Sequence, residues 1–248
     1  MFNPKELARE ACRIGTEKVN RGFTKVFVSG ILAGAFIGLG YYGYLVLAST
    51  IPQMGRFYGA LFFAIGLVMI IIAGGDLFTG NCLLTMGWMN RDYPFIKVLK
   101  NWGIVFLGNF LGALFLGSLL YFASLPFNYR SEIIAVAEGK LNLKFFEAFF
   151  RGILCNVLVG LAVYMSYAAK SIPGKILTVM LPVALFVICG YEHSVANMFV
   201  LPLGQALGGE GNFLDILFKN LLPVTLGNLV GGAILIPGAY YLLFLHER

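Results

Sequence analysis

The sequence predicts an all-α integral membrane protein of six transmembrane helices, arranged as two inverted three-helix repeats whose second and fifth helices are broken. Three observations lead there. The 248 residues are 59% hydrophobic and 12% charged, against about 45–50% apolar and about 25% charged in an average soluble domain. The excess is gathered into runs long enough to cross a hydrocarbon core. The landmarks of the first three runs then recur, in order, in the last three.

Taken along the chain, Asn3-Pro4-Lys5-Glu6 supplies an N-cap, a proline at the first helical position and a capping-box glutamate. They open an amphipathic helix over residues 3–25, with Leu7, Ala11 and Ile14 on one face, expected to lie on the cytoplasmic membrane surface. The first apolar run follows this polar stretch and is longer than the core of a signal peptide, so it reads as a retained helix. Val26 to Ser49, Phe95 to Phe122, Phe145 to Ala168 and Ile216 to Leu245 each exceed the roughly 20 residues a spanning helix needs. Tyr58 to Ala73 and Ile176 to Cys189 are shorter, and each runs into glycine followed by an acid. They read as broken helices, which a membrane tolerates only where the freed N–H and C=O groups find partners inside the protein or line a wet cavity.

The repeat rests on three matches. Gly30-Ile31-Leu32 with Gly38-Leu39 corresponds to Gly152-Ile153-Leu154 with Gly160-Leu161. GGDLFTGN from Gly74 to Asn81 corresponds to GYEHSVAN from Gly190 to Asn197, with glycine, acid and asparagine at equal offsets. Lys100-Asn101, Gly108-Asn109 and Gly112 correspond to Lys219-Asn220, Gly227-Asn228 and Gly231. An odd number of spans per half turns the second half over, so the two breaks meet near the midplane with helix N-termini aimed inward, where anions are favoured. Gly74, Gly75, Gly80 and Gly190 permit non-helical backbone there. Asp76, Glu192, Asn81 and Asn197 are expected to be structural, the two acids accepting freed N–H groups or capping the new helices. The paired glycines of the third and sixth spans mark close helix contacts, within a protomer or between protomers. The whole chain, 1–248, thus reads as one membrane domain, with its first repeat over 26–123 and its second over 144–245.

Of the 18 Lys and Arg, 12 fall at the N-terminus, Arg91 to Lys100, Lys170 to Lys175 and the C-terminus. The positive-inside rule makes these segments cytoplasmic, termini included, in a multi-pass cell-membrane protein. Orientation and lipid contact then account for the net charge of +6 without a nucleic-acid partner. Cys12, Cys82, Cys155 and Cys189 show no CxxC or metal-type spacing, and two histidines are too few for a histidine-rich metal site, so no metal or cofactor is expected.

GGDLFTG, GILCN (152–156), GYEHSVANMF (190–199) and NLLPVTLGN (220–228) resemble, in order and spacing, hallmark segments of the formate/nitrite transporter family, and the resemblance covers almost the whole chain. It implies an aquaporin-like homopentamer with one conduction path per protomer for a small monovalent weak-acid anion. Formate is the expected substrate, with nitrite, hydrosulfide and lactate as alternatives. Carried over residue by residue, the resemblance matches Leu77, Phe78 and Thr79 to the loop of the broken second helix. His193 matches the central pore histidine, and Asn156 the asparagine that faces it. Lys140, sixteen residues before Asn156, matches a lysine near the pore centre, although a lysine in the short loop between the third and fourth spans would otherwise be solvated. Phe63, Leu67 and Phe186 match the apolar residues of two constrictions. Arg151 stands just before GILCN, where it either enriches anions at an entrance or anchors a helix end.

A naked anion crosses an apolar constriction badly, because burying a lone charge is very costly. The expected passage has Lys140 and the inward helix ends drawing the anion in, and His193 supplying or sharing a proton so that the crossing species is close to the neutral acid. The competing view makes His193 a neutral core histidine satisfied by Glu192 or Asn197. Two other classes fit less well. A membrane hydrolase would need an activated nucleophile, but the sequence has no GxSxG elbow and only Ser194 beside His193; a neutral-solute channel such as an aquaporin would carry paired Asn-Pro-Ala breaks, which are absent here.

Overall fold

The computed structural model describes residues 2–246; Met1 and 247–248, the ends of the expected 1–248 unit, lie outside the described residues. The helices in order are α1 (Pro4–Val19), α2 (Phe23–Thr50), α3 (Gly55–Ala73), α4 (Phe78–Asn81), α5 (Leu84–Met89), α6 (Phe95–Phe122) and α7 (Arg130–Leu141). They continue as α8 (Phe145–Ala168), α9 (Ile172–Ile188), α10 (Ser194–Ala206), α11 (Phe213–Asp215), α12 (Leu222–Leu229) and α13 (Ile236–Phe244). Five stretches are long and apolar enough to cross a membrane: α2, α3, α6, α8 and Phe213–Phe244; α9 is apolar but has 17 residues. The architecture is that of an all-helical membrane protein with several long apolar helices.

The core of the bundle joins α2 to α3 and α6, α8 to α9 and α12, and α3 to α9. Lipid tails are as apolar as leucine, so helices in a membrane associate through close packing rather than through the hydrophobic effect. Glycine supplies that closeness. A Cβ added at Gly112 of α6 would sit 1.9 Å from the Ile31 carbonyl oxygen of α2, and one at Gly231 would sit 2.3 Å from the Ile153 carbonyl oxygen of α8. The glycine pairs therefore seat helices within one chain.

α1 is capped as its sequence predicts: Glu6 N–H donates to Asn3 Oδ1 and Asn3 N–H to Glu6 Oε2, both at 2.9 Å. Its buried face, Leu7, Ala8, Ala11, Cys12 and Gly15, packs on α5, α8 and α13 rather than on lipid alone. Ile14 sits instead with Glu10 and Lys18 on a second stripe that faces a cavity.

Two expectations are corrected. The connection between the third and fourth spans is no short loop, because a 3₁₀ turn, Leu125–Tyr129, leads into the twelve-residue helix α7. The last span is no uniform α-helix either, since π-helical turns occupy Ile216–Leu221 and Val230–Leu235. Each π stretch ends two residues before a proline, Pro223 or Pro237. Proline has no N–H to give and its ring crowds the preceding turn, and a widened turn accommodates both. α6 contains no proline and stays α-helical throughout.

Candidate functional site

The site is built at the two breaks. α3 stops at Ala73, Gly74 turns the chain at φ 95°, and α4 restarts at Phe78. α9 stops at Ile188, Gly190 turns at φ 69°, and α10 restarts at Ser194. Positive φ is the conformation that only glycine adopts without strain. Gly80, by contrast, lies within α4.

The freed backbone groups go to two asparagines. Asn109 Oδ1 accepts Phe78 N–H at 2.9 Å, while Asn109 Nδ2 donates to the carbonyls of Gly30 (2.8 Å) and Asp76 (2.9 Å). Asn228 Oδ1 accepts Ser194 N–H at 2.9 Å, while Asn228 Nδ2 donates to the carbonyls of Gly152 (2.8 Å) and Glu192 (3.0 Å). One carboxamide thus ties a break, its restarted helix and a neighbouring span together, satisfying groups that lipid could not. Asp76 and Glu192 do not take these N–H groups as expected.

The acids anchor ion pairs instead. Asp76, fully buried, accepts from Asn81 Nδ2 at 3.2 Å and pairs with Lys18 at 3.0 Å and Arg21 at 3.1 Å. Glu192 accepts from Asn197 Nδ2 at 2.7 Å and pairs with Lys140 at 2.7 Å. Lys140 therefore projects from the last turn of α7 with its side chain only 15% exposed. Sequence reasoning missed Lys18, its counterpart on α1, although the signal was present. Lys18 and Lys140 each stand twelve residues before a Gly-Ile-Leu triplet, with Asn20 and Phe23 matched by Asn142 and Phe145. The sequence correspondence thus extends to α1 and α7, the helices that precede α2 and α8.

His193 and Thr79 meet between the breaks, with Thr79 Oγ1 2.9 Å from His193 Nε2. Ala196 N–H donates to His193 Nδ1 at 3.1 Å, so Nδ1 is the acceptor and a neutral ring carries its proton on Nε2, giving it to Thr79 Oγ1. His193 thereby caps α10. Ser194 Oγ has no hydrogen-bond partner among the described residues, so no serine–histidine pair forms.

A cavity of about 260 Å³ reaches His193 from the α7 side, lined by Lys140, Arg151 and Glu192 and floored by Phe63 and Phe186. A second, of about 320 Å³, approaches from the α1 side past Lys18, Arg21 and Lys175 to Leu67 and Leu77. Phe63 and Phe186 meet edge to face at 5.6 Å, and the Phe186 ring stacks on His193 at 5.8 Å. Glu10 also lines the α1-side cavity, and the bidentate Arg13 guanidinium holds its carboxyl below the ordinary carboxylate range despite some desolvation. Arg151 pairs with Glu147 and donates to the Gly190 carbonyl at 3.3 Å, so it both lines a cavity and braces the second break.

Of the expected pore and constriction residues, Thr79, Phe78 and Asn156 line neither cavity, and of these Thr79 meets His193 between them. Phe78 points its ring at α6, edge to face with Phe106 (5.0 Å) and Trp102 (6.3 Å), and lines neither cavity. Asn156 is fully buried beside Gly232, donates to the Asn228 carbonyl at 2.7 Å and keeps an unpartnered Oδ1, also outside both cavities.

The sequence profile described as formate/nitrite transporter matches residues 5–242. The chain is 36% identical to the formate channel FocA of Haemophilus influenzae over 95% of its own length and 92% of that protein's. Among solved structures it is similar to an FNT family ion channel, with TM-score 0.87 and 29% identity over 97% of this chain and 98% of the other. It is also similar to a pentameric formate channel with formate bound, with TM-score 0.79 and 30% identity over 90% of this chain and 98% of the other.

Proposed function

The chain belongs to the formate/nitrite transporter family, a multi-pass membrane channel rather than an enzyme, and from that premise we propose that its substrate is formate, crossing each protomer of a homopentamer. The observation that carries this reading is the Thr79–His193 pair set between two cavities, each lined by cations and closed by apolar side chains.

The path follows from the charges. Lys140 and Arg151 at one end, and Lys18, Arg21 and Lys175 at the other, concentrate a monovalent anion without fixing it, because Glu192, Glu147 and Asp76 offset part of their charge. Beyond Phe63 and Phe186, or Leu67 and Leu77, the solute leaves water, and the neutral acid is the form that enters. His193 offers Nε2–H as a hydrogen bond in place of the one it gives Thr79, assisting a shared proton across the centre. A fully protonated ring would forfeit the Ala196 cap, so the acid arrives with a proton already taken up in the aqueous formate–formic acid equilibrium of the cavity, and His193 holds it by a hydrogen bond without giving up a proton of its own.

Six spans in two inverted halves are part of this proposal. Its support is the recurrence of the same hydrogen bonds at Asn109 and Asn228, and of the same ion pairs at Asp76 and Glu192. α9 covers only about 25 Å of rise at 1.5 Å per residue, and the break plus α10 supply the rest of that crossing. The cationic α1 end is assigned to the cytoplasm, with both termini there. Similarity to a pentameric formate channel supports the oligomer and the anion.

The deciding experiment is uptake into proteoliposomes of formate, nitrite, hydrosulfide and chloride at two pH values, with His193→Ala in parallel. Formate entry well above chloride, raised at lower pH and altered by the substitution, supports the proposal. Flux no greater than in empty liposomes for all four anions rejects it.

A further inference from the structure

A basic groove lies outside the conduction path, where the end of α1, the start of α2 and the start of α6 converge. Its volume is about 190 Å³, and Lys18, Arg21, Lys97 and Lys100 line it together with Phe23 and Ile104. Lys97 and Lys100 are one turn apart on α6, and Ile104 follows one turn further along the same face. Asp76 offsets only one of the four positive charges, being shared by Lys18 and Arg21. Lys97 Nζ donates to Asn20 Oδ1 at 2.6 Å, a neutral partner, and the Lys100 side chain has no hydrogen bond or ion pair among the described residues.

Four cations converging on one cavity with a single carboxylate repel one another, and more strongly beside low-dielectric apolar helices than in bulk water. Beyond Asp76, no carboxylate among the described residues pairs with these cations. The groove's walls say what form a further counter-charge takes. α2 and α6 are long apolar helices that both begin here, so the cations stand where a bilayer's headgroups meet its hydrocarbon. Phe23, 59% exposed, and Ile104 extend the groove from the charged rim along the apolar spans.

We infer that this groove binds the phosphate of an anionic phospholipid, with Arg21, Lys97 and Lys100 around the phosphate oxygens and an acyl chain running along Phe23 and Ile104. Basic pockets between spanning helices are suited to this chemistry. A soluble anion would meet the same cations but gain nothing from the apolar wall. The site also touches the conduction machinery, since Lys18 and Arg21 line the α1-side cavity as well. The inference does not depend on which anion permeates.

The test uses the full-length protein in detergent, delipidated and then titrated with phosphatidylglycerol or phosphatidylcholine, with bound lipid counted by native mass spectrometry. Inorganic phosphate and glycerol phosphate form the soluble arm. Lys100→Gln is the decisive variant, because the Lys100 side chain makes no hydrogen bond or ion pair among the described residues and its replacement leaves the contacts that hold the fold intact. Lys25→Gln, a cation on the exposed first turn of α2 outside the groove, controls for general attraction. Expected is a preference of about tenfold or more for phosphatidylglycerol, reduced several-fold in Lys100→Gln and in Lys97→Gln/Lys100→Gln and retained in Lys25→Gln. No preference in the unaltered protein overturns the proposal, as it would if a neighbouring subunit covered the groove. So does a preference unchanged in the groove variants, a loss equal in Lys25→Gln, or displacement of the lipid by millimolar inorganic phosphate.

Discussion

His193 Nε2 lies 2.9 Å from Thr79 Oγ1, and these two residues, 114 apart in the chain, join the two breaks at the centre of the protein. Because Nδ1 is occupied by the Ala196 N–H at 3.1 Å, the direction of the central bond is set: histidine donates and threonine accepts.

That direction predicts the behaviour of Thr79. Thr79→Val keeps the shape and removes the acceptor, leaving a buried N–H unpaired at a cost of about 1–3 kcal/mol. Formate flux in proteoliposomes is expected to fall by about tenfold or more, while Thr79→Ser, which keeps the hydroxyl, stays near the unaltered rate. Equal flux in all three proteins would detach the pair from conduction.

The ion pairs differ in what their loss leaves behind. Among the described residues Lys140 is the only cation paired with buried Glu192, whereas Asp76 has both Lys18 and Arg21. Stranding a buried carboxylate costs about 3–5 kcal/mol, so Lys140→Ala should lower the melting temperature of the detergent-solubilised protein more than Lys18→Ala. Combining Lys140→Ala with Glu192→Gln should restore much of the loss. A Lys18→Ala protein as unstable as Lys140→Ala would show that Arg21 does not share Asp76.

Asn109 and Asn228 each close three hydrogen bonds around a break. Replacement of either by leucine orphans buried backbone groups at about 1–3 kcal/mol each. Both variants should melt lower and lose flux together, and Asn109→Asp, which sets a buried carboxylate oxygen against the Gly30 and Asp76 carbonyls, should melt no higher than Asn109→Leu. Unchanged melting in Asn109→Leu would mean that water replaces the carboxamide.

Gly112→Val tests the helix seam. A side chain there meets the Ile31 carbonyl oxygen, so α6 must move away from α2. Folded yield and melting temperature should drop sharply, while Gly103→Val, at an open α6 position, should be tolerated. Equal tolerance at both would sink the close-contact argument.

pH dependence distinguishes the carried species. Above the pKa of a weak acid, its neutral fraction rises about tenfold for each unit that pH falls. Formate uptake should therefore increase steeply on acidification while chloride, whose acid is fully ionised, shows no such rise. Parallel pH profiles for the two would indicate passage of the bare anion.

Much of this protein was determined by sequence alone. The long apolar runs could be placed only in lipid, and α6 and α8 begin and end where those runs do, at Phe95–Phe122 and Phe145–Ala168. The duplicated GGDLFTGN and GYEHSVAN segments located both breaks, because glycine followed by a polar group is costly at membrane depth and marks its own position. Only the tertiary structure decided the rest. Whether Asn109 and Asn228 served packing or the breaks depended on which span each carboxamide reached, which no local pattern encodes. Lys140 looked like a loop residue until α7 turned it onto Glu192, and Lys18 joined Asp76 across 58 residues by the same geometry. Phe78 carries the same side chain whether it closes a pore or packs against Trp102, and which of the two it does depends on how α4 seats against α6. Apolar periodicity and composition are properties of the chain, whereas the pairing of buried polar groups is settled by which helices come within hydrogen-bond reach.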